Sequence, residues 1–355
     1  MDKSKPKYLL IEEKIKLAIK HQEIIDKLPG ERTLAKEYGF SYMTIRKAIE
    51  NLVAEGVLYK IPTKGTFVAD RKITKKITKV IGYFLDSSIV SGLTSPYYSL
   101  IFNALEKQAT KHGYSLIYFS DIGDSSSLKH MNKIDGVIVS CFPRVENIVH
   151  DISKHVPVVV IDNSSSDKTI PSIIIDNFNA VSASVDYLCS LGHKRIGFMT
   201  GLEDSDVGKD RYAGYKSGLN THGIKLNENL VFRGNYSFES GAEGADYFLS
   251  LKKTPTALIC ANDAMAIAAT RKIIQYGLNV PEDISVIGFD DITVASQIHP
   301  PLTTISAPID EIAERALNML IGQIQNKEFN NKHVALPAKL VIRDTCTSVK
   351  NAASA

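Results

Sequence analysis

LPGERTLAKEYGFSYMTIRKAIENLVAEGVLYKIPTKGTFV, residues 28–68, decides the reading of the first part of the chain. Leu28-Pro29-Gly30 interrupts what precedes it, Glu31 to Tyr38 has the length of a short helix, and Gly39 supplies the left-handed residue that closes one. Ser41 can cap a further helix, in which Ile45, Ala48, Ile49, Leu52 and Val53 form one apolar stripe and which Gly56 ends. Two strand-like runs follow, Val57 to Ile61 and Thr66 to Val68, joined by Pro62-Thr63-Lys64-Gly65 with hairpin chemistry. Upstream, Leu9, Ile11, Ile15, Ala18 and Ile19 recur at roughly helical spacing, which predicts an amphipathic helix from Tyr8 to Ile25. Three helices and a hairpin in this order make a winged helix-turn-helix.

Charge separates this segment from the rest. Residues 1–79 hold 18 Lys/Arg against 10 Asp/Glu, whereas the whole chain holds 42 against 39, so the remainder is acidic. A basic end beside an acidic body suggests a polyanion partner for the end alone, although lysine-rich helices also serve as solvated faces. A helix fits the major groove and presents its first turn to base edges, while a basic hairpin tip reaches the neighbouring groove or the phosphates. At the start of the third helix, Tyr42, Thr44, Arg46 and Lys47 turn away from the apolar stripe and are the expected DNA contacts.

Residues 28–68 resemble the gluconate-repressor (GntR) type of DNA-binding domain. The matching positions are Leu28, Pro29, Glu31, Arg32, Leu34, Ala35, Ser41, Thr44, Arg46, Ala48, Leu52, Gly56 and Gly65 to Val68. The resemblance implies that Arg32, Thr44, Arg46 and the wing around Lys64, Gly65 and Thr66 touch duplex DNA. Lys7 and Ser41 complete the candidate set. Gly30 replaces the usual Ser, a small loss at a helix cap. Tyr42 replaces an Arg that could give ~1–3 kcal/mol of discrimination on guanine, so an operator different from the family consensus is expected.

Residues 69–79, ADRKITKKITK, lack a sustained apolar period and read as a linker. Beyond them the texture changes to apolar strand-like runs at 80–85, 115–119, 136–139, 156–161, 173–175, 195–199, 257–260 and 285–288. Helical patterns at 98–112, 180–191, 211–222 and 264–276 lie between several of these. Strands apolar throughout and alternating with helices argue for parallel sheets covered on both faces, and so many units predict two doubly wound lobes. The expected fold class is therefore α/β, a winged helix-turn-helix followed by a two-lobed, doubly wound parallel-sheet domain.

In such lobes, ligands settle at the carboxyl ends of strands. Several runs end in carboxylate or amide residues: Asp86, Asp162-Asn163, Asp176-Asn177, Asn262-Asp263 and Asp290-Asp291. These suit the hydroxyls of a polyol, Tyr97, Tyr98 or Tyr236 could cover an apolar sugar face, and Arg211 adds a forked donor. Singly, each has a plainer role: Asp176 is expected to cap the helix opening near Asn179, and Asp263 the one opening at Ala264.

Residues 80–343 resemble the effector domain of the lactose-repressor (LacI/GalR) family, itself similar to periplasmic sugar-binding proteins. The resemblance rests on SPYYSLIFNALEKQATKHGYSL (95–116), VPVVVIDN (156–163), IIIDNFNA (173–180), LGHKRIGFMTG (191–201), DRYAGYKSGL (210–219), PTALICANDAMAIAAT (255–270), VPEDISVIGFDDITVASQIHPPLTTI (280–305) and LVIRDT (340–345). It implies an N-lobe of about 80–175 with 306–332, a C-lobe of about 176–305 with 333–343, and a tail from 344 to 355. It also implies that Asp162, Arg211, Asn262 and Asp290 hold ligand hydroxyls, with Tyr236 stacking on a ring. Ser95 stands where Asn is usual. The fusion of this reader to this sensor is similar to the arabinose-repressor type of regulator, which implies a repressor of carbohydrate-utilisation genes and L-arabinose as the first candidate effector. L-Fucose or another deoxyhexose, a purine or a sugar phosphate are the alternatives. The hinge-helix motif of typical lactose-repressor relatives is missing from 69–79, so coupling is expected to run by another path; no leucine heptad follows Arg343 to build a tetramer, and the symmetry of most operators favours a homodimer on a palindromic site.

Other classes find little support. GxGxxG, GxSxG and HExxH motifs are missing, and Gly201 to Lys209 is too long for a phosphate loop and is followed by Asp210 instead of Ser or Thr, so no enzymatic activity is expected. Cys141, Cys189, Cys260 and Cys346 are scattered with no metal spacing, so free thiols, no metal and no cofactor are expected. With no export signal or long apolar run, the expected location is the cytoplasm, with no membrane partner.

Overall fold

The computed structural model describes residues 6–20, 23–24, 26–68, 77–85, 92–119, 133–140, 146–202, 204–325, 327 and 332–349. Residues 69–76 of the expected linker, Asp86, Cys141 and residues 350–355 lie outside this set. The chain divides into two compact units, Met1–Ile77 and Thr78–Ala355.

The first unit holds α1 (Lys7–Lys20), α2 (Glu31–Tyr38), α3 (Tyr42–Ala54), β1 (Leu58–Ile61) and β2 (Gly65–Val68). Its core is the apolar stripe of α3 closed by the other helices: Ile11, Ile15, Leu34, Ile45, Ala48, Ile49 and Leu52 are fully buried. Gly39, at φ 71°, ends α2 as its sequence position requires. The strands form an antiparallel hairpin whose turn places Thr63 and Gly65 at positive φ. The first helix is shorter than expected, stopping at Lys20 instead of Ile25. The backbone after it is recruited by the wing, with Leu28 N donating to Thr66 O at 2.9 Å and Val68 N to Asp26 O at 2.7 Å. Before that, Glu23 N and Ile24 N both donate back to Ala18 O, at 2.9 and 3.3 Å, five and six residues away in place of the helical four, which closes the helix ahead of Ile25.

The second unit is two α/β lobes of matching topology. In the first, β3 (Val80–Leu85), β4 (Ser115–Phe119), β5 (Gly136–Ser140), β6 (Val158–Ile161), β7 (Ser172–Ile175) and β13 (His333–Leu336) form a sheet in the order β13-β7-β6-β5-β3-β4, with every pairing parallel. Its described helices are α4 (Pro96–Lys111), α5 (Glu146–Ser153) and, late in the chain, Ile309–Ile324, which packs on α4 and on β5 to β7. The second lobe contains α6 (Asn177–Ser190), β8 (Ile196–Met199), α7 (Asp206–Thr221), β9 (Val231–Phe232), α8 (Phe238–Leu249), β10 (Ala257–Cys260) and α9 (Asp263–Gln275). It continues with β11 (Ser285–Asp290), β12 (Thr303–Ser306) and, after the helix Ile309–Ile324 (α10), β14 (Lys339–Val341). Its sheet runs β14-β12-β11-β10-β8-β9, with only β14 antiparallel. Central strands such as β5, β6 and β10 are buried at every residue, which is why they read as continuous apolar runs.

The chain passes between lobes after β7, after β12 and after β13, so the C-terminal lobe boundary needs correction. Residues 333–336 were expected in the C-lobe, yet β13 lies beside β7 in the first sheet, and only β14 enters the second. Val334 and Leu336 pack against the core there, and closing the free edge of β7 satisfies both backbones. Residues 344–349 are likewise no tail. Val286 N donates to Thr345 O at 2.8 Å, the Thr345 side chain is fully buried, and Val349 N donates to Leu191 O.

Candidate functional site

In the reader, Ser41 caps α3 as expected: its Oγ accepts from Thr44 N at 3.3 Å and lies 2.7 Å from Thr44 Oγ1. Lys7, Thr44, Arg46 and Lys47 come together with Tyr8, Met43, Glu50 and Asn51 around one concave surface. Arg46 Nε donates to Glu50 Oε1 at 3.0 Å, and Lys47 Nζ lies 4.6 Å from the Tyr8 ring centroid. Arg32, and Lys64, Gly65 and Thr66 in the wing, lie outside that concavity, while Tyr42 is exposed at its helix start. Glu31, the neighbour of Arg32 in the chain, is paired with Lys60, whose Nζ is 3.3 Å from Glu31 Oε1. Sequence reasoning passed over Met43, which is 68% exposed, because it sought polar contacts. An apolar tip in the groove can meet a thymine methyl.

In the sensor, the parallel strand orders reverse between β3 and β5 in the first lobe and between β8 and β10 in the second. Such switch points open crevices at the strand ends. At the second, Arg211 of α7 enters beneath Ala261 and is nearly buried. Its Nε donates to Asn177 Oδ1 at 2.8 Å, its Nη1 donates to Ala261 O, its Nη2 is 3.9 Å from Asp290 Oδ1, and its carbon lies 3.5 Å from the Phe289 ring centroid. The fork is thus fixed in place by two hydrogen bonds and a ring face, and it has further N–H groups that make no hydrogen bond among the described residues. From the first lobe, Tyr97 donates its hydroxyl proton to Asp162 Oδ1 at 2.6 Å, and the Tyr97 and Tyr98 rings meet edge to face.

Electrostatics ties the two halves together. Burial pushes the Asp162 carboxyl up to about 6, against the Tyr97 hydrogen bond and the field of Arg211. Burial also drives Asp290 well above the ordinary range, with Arg211 opposing and the fields of Asp263 and Asp162 adding. Tyr97 and Tyr98 are raised by burial and by the same two carboxylates. Asp162 Oδ2 is buried and has no hydrogen-bond partner among the described residues. The buried Tyr236 hydroxyl makes no hydrogen bond of good geometry either, although Ser205 is its polar neighbour. Asp162, Tyr236 and Asp290 also share backbone φ of 63°, 70° and 114°. Non-glycine residues reach such angles at a cost of order 1–3 kcal/mol each, and strain of this kind clusters at ligand sites.

Asn262, expected to hold a ligand hydroxyl, also has a structural role. It caps α9, its Oδ1 accepting from Met265 N at 3.0 Å, and its Nδ2 donates to Tyr236 O at 2.9 Å, so it fastens the Tyr236 loop. The expected cap, Asp263, is instead fully buried and accepts from Thr304 Oγ1 and from Ile292 N. The expected cap at Asp176 is present, with Oδ1 accepting from Asn179 N at 3.1 Å. Asn177 was noted only as a strand-end amide, yet it joins the Arg211 guanidinium to Ile175 O at a crossing between lobes. Its one sequence signal was its position directly after a strand.

Residues 7–68 match the model for bacterial regulatory proteins of the gntR family, and residues 185–346 match that for a periplasmic binding protein-like domain. The chain is 32% identical over 267 residues to the HTH-type transcriptional repressor CytR of Escherichia coli K12, covering 72% of this chain and 77% of that one. It therefore belongs to the LacI family of transcriptional regulators. The ribose operon repressor of Haemophilus influenzae is 29% identical over 86% of this chain and 91% of its own. A sugar-binding LacI-family regulator from Escherichia coli, solved with phosphate, superposes with a TM-score of 0.65 at 29% identity, over 77% of this chain and 100% of its own. By this kinship the LacI-type chain is a regulator and not an enzyme. No helix among the described residues is long and apolar enough to cross a membrane.

Proposed function

We propose that this LacI-type regulator is a homodimeric repressor of carbohydrate-utilisation genes, which binds a palindromic operator through two winged helices and releases it when a neutral monosaccharide occupies the cleft between its lobes. The observation that carries the reading is the convergence of Asp162, Asp290 and Arg211, with a buried, unpartnered carboxylate oxygen on Asp162. Two carboxylates facing one guanidinium oppose an anion, which speaks against a phosphorylated effector. They accept hydroxyl protons readily, and the tyrosines supply flat apolar faces for a sugar ring. L-Arabinose is the first candidate, with a deoxyhexose next. Lys7, Arg32, Ser41, Tyr42, Thr44, Arg46, Lys47 and the wing residues Lys64, Gly65 and Thr66 form the proposed DNA surface, and the location is the cytoplasm.

Release requires that the sugar bind the closed form more tightly than the open one, since only a difference in affinity moves the equilibrium. The test is calorimetric titration of the full-length protein with a panel of neutral sugars and sugar phosphates, alongside operator binding with and without each. A neutral pentose or hexose that binds and weakens operator affinity supports the reading. Binding by sugar phosphates alone, or by none of the panel, refutes the effector class. Sedimentation of the free protein as a monomer at micromolar concentration would refute the dimer.

A further inference from the structure

The segment ahead of α2 pairs with the wing. Lys27 forms an antiparallel bridge with Phe67, between the bonds from Leu28 N to Thr66 O and from Val68 N to Asp26 O, so residues 26–28 run along the outer edge of β2. Bridge partners point to the same side of a sheet. Lys27 therefore shares a face with Phe67 and with its cross-strand partner Tyr59, whose ring stacks on Phe67 at 5.5 Å. The lysine stem crosses the wing turn at Gly65, where an added Cβ would stand 3.0 Å from Lys27 Cε and 3.8 Å from Nζ. Lys27 Nζ lies 5.7 Å from the Phe67 ring centroid. The residue is exposed, and it has no carboxylate partner among the described residues. Lys60, on the opposite face of the hairpin, is instead held by Glu31 at 3.3 Å.

We propose that Lys27 is a further DNA contact, its ammonium binding a backbone phosphate of the duplex beside the Lys64-Gly65 turn. Gly65 has no side chain of its own, and Lys27 lays a cation across the place where one would project. The turn thereby carries two positive charges, Lys64 from within the wing and Lys27 from the segment before α2. An ammonium is a compact charge with three N–H donors, which suits a phosphate oxygen and needs no planar match to a base edge. The Phe67 face beneath it restrains the stem, so less side-chain freedom is lost when a phosphate arrives. Without a carboxylate to leave, Lys27 gives up no ion pair on binding, whereas Lys60 would have to abandon Glu31. The inference rests on the reading that the wing meets duplex DNA, and the experiment below separates the two.

Full-length protein is titrated, over a series of salt concentrations, with a labelled duplex that the wild type has selected from a randomised pool. The variants are Lys27→Met, which keeps an apolar stem on Phe67 and removes the charge, Lys27→Arg, which keeps the charge, and Lys64→Ala. Lys27→Met should unfold at the wild-type midpoint and bind DNA with a shallower dependence of log affinity on log salt, by about 0.9 for each protomer bound, the loss of one phosphate contact. Lys27→Arg should restore the wild-type slope. A wild-type slope in Lys27→Met overturns the proposal, and so does a slope that Lys27→Arg fails to restore, since the charge would then not be the cause. If Lys64→Ala has a shallower slope while Lys27→Met does not, the wing reading survives and the Lys27 contact alone falls. If both keep the wild-type slope, the wing reading falls with it.

Discussion

The reader and the sensor each pair an arginine with a carboxylate, in opposite surroundings. Arg46 and Glu50 lie along α3 with about half of each side chain exposed, 50% and 55%. Arg211 and Asp290 have side chains only 6% and 9% exposed. An exposed pair contributes little and is screened by salt, so Arg46 can leave Glu50 for a phosphate or a base at small cost. A buried pair that loses one member strands the other charge, so Arg211 is committed to one geometry. On the proposed function, a surface that exchanges water for DNA keeps its cations loosely held, and a cleft that recognises hydroxyl stereochemistry fixes its donors before the ligand arrives.

That contrast is most exposed to failure at Arg211. Arg211→Ala should abolish sugar binding and destabilise the sensor by about 3–5 kcal/mol, because Asp290, the Asn177 amide oxygen and the Ala261 carbonyl all lose a partner. Denaturant titration beside calorimetry checks both, and an undisturbed unfolding midpoint would dissolve the distinction between regions. Next in size is Gly201→Ala. A Cβ there would run into the Tyr236 ring, so the ring must leave the cleft, at about 1–3 kcal/mol of stability or a comparable loss of ligand affinity.

Asp162 gives a sharper test because its sign changes with pH. The folded carboxyl titrates near 6 and an unfolded aspartate near about 3.9. Between those values the folded chain holds the extra proton, so this group's contribution falls as pH rises and is at its least favourable above 6. Asp162→Asn should therefore raise unliganded stability by roughly 1–2 kcal/mol at pH 8, with the gain fading toward pH 4, while weakening sugar binding at both. A gain that grows on acidification would contradict the assignment. The smallest effect is expected in the reader, where Ser41→Ala removes the α3 cap and should cost about 1 kcal/mol or less, read from the first unfolding transition. Operator affinity should fall with it, since the capped turn carries the residues proposed to face the groove.

Local patterns foretold the reader well because its structure is local. The cap at Ser41, the left-handed Gly39 and the stripe Ile45, Ala48, Ile49, Leu52 each depend on residues within a turn or two. The missed end of α1 lies just before the chain joins a distant strand: Glu23 N and Ile24 N turn back to Ala18 O, and Asp26 and Leu28 then bond to the wing. In the sensor, Asp162, Arg211, Tyr236 and Asp290 were nameable because strand ends and family motifs marked them. The strain shared by Asp162, Tyr236 and Asp290 was not, since it needs the surrounding fold to impose positive φ on side-chained residues.

From the order of residues alone came the division of the chain, its charge asymmetry, the alternation of apolar strands with helices, and the types of side chain at each strand end. These follow from short-range propensity and from periodicity along the backbone. Tertiary structure alone assigned β13 to the first sheet, gave the α9 cap to Asn262 instead of Asp263, and left Asp162 Oδ2 buried without a partner. Each of those outcomes is set by which distant backbone or charge comes within a few ångströms once two sheets close, and no local window of sequence contains that neighbour.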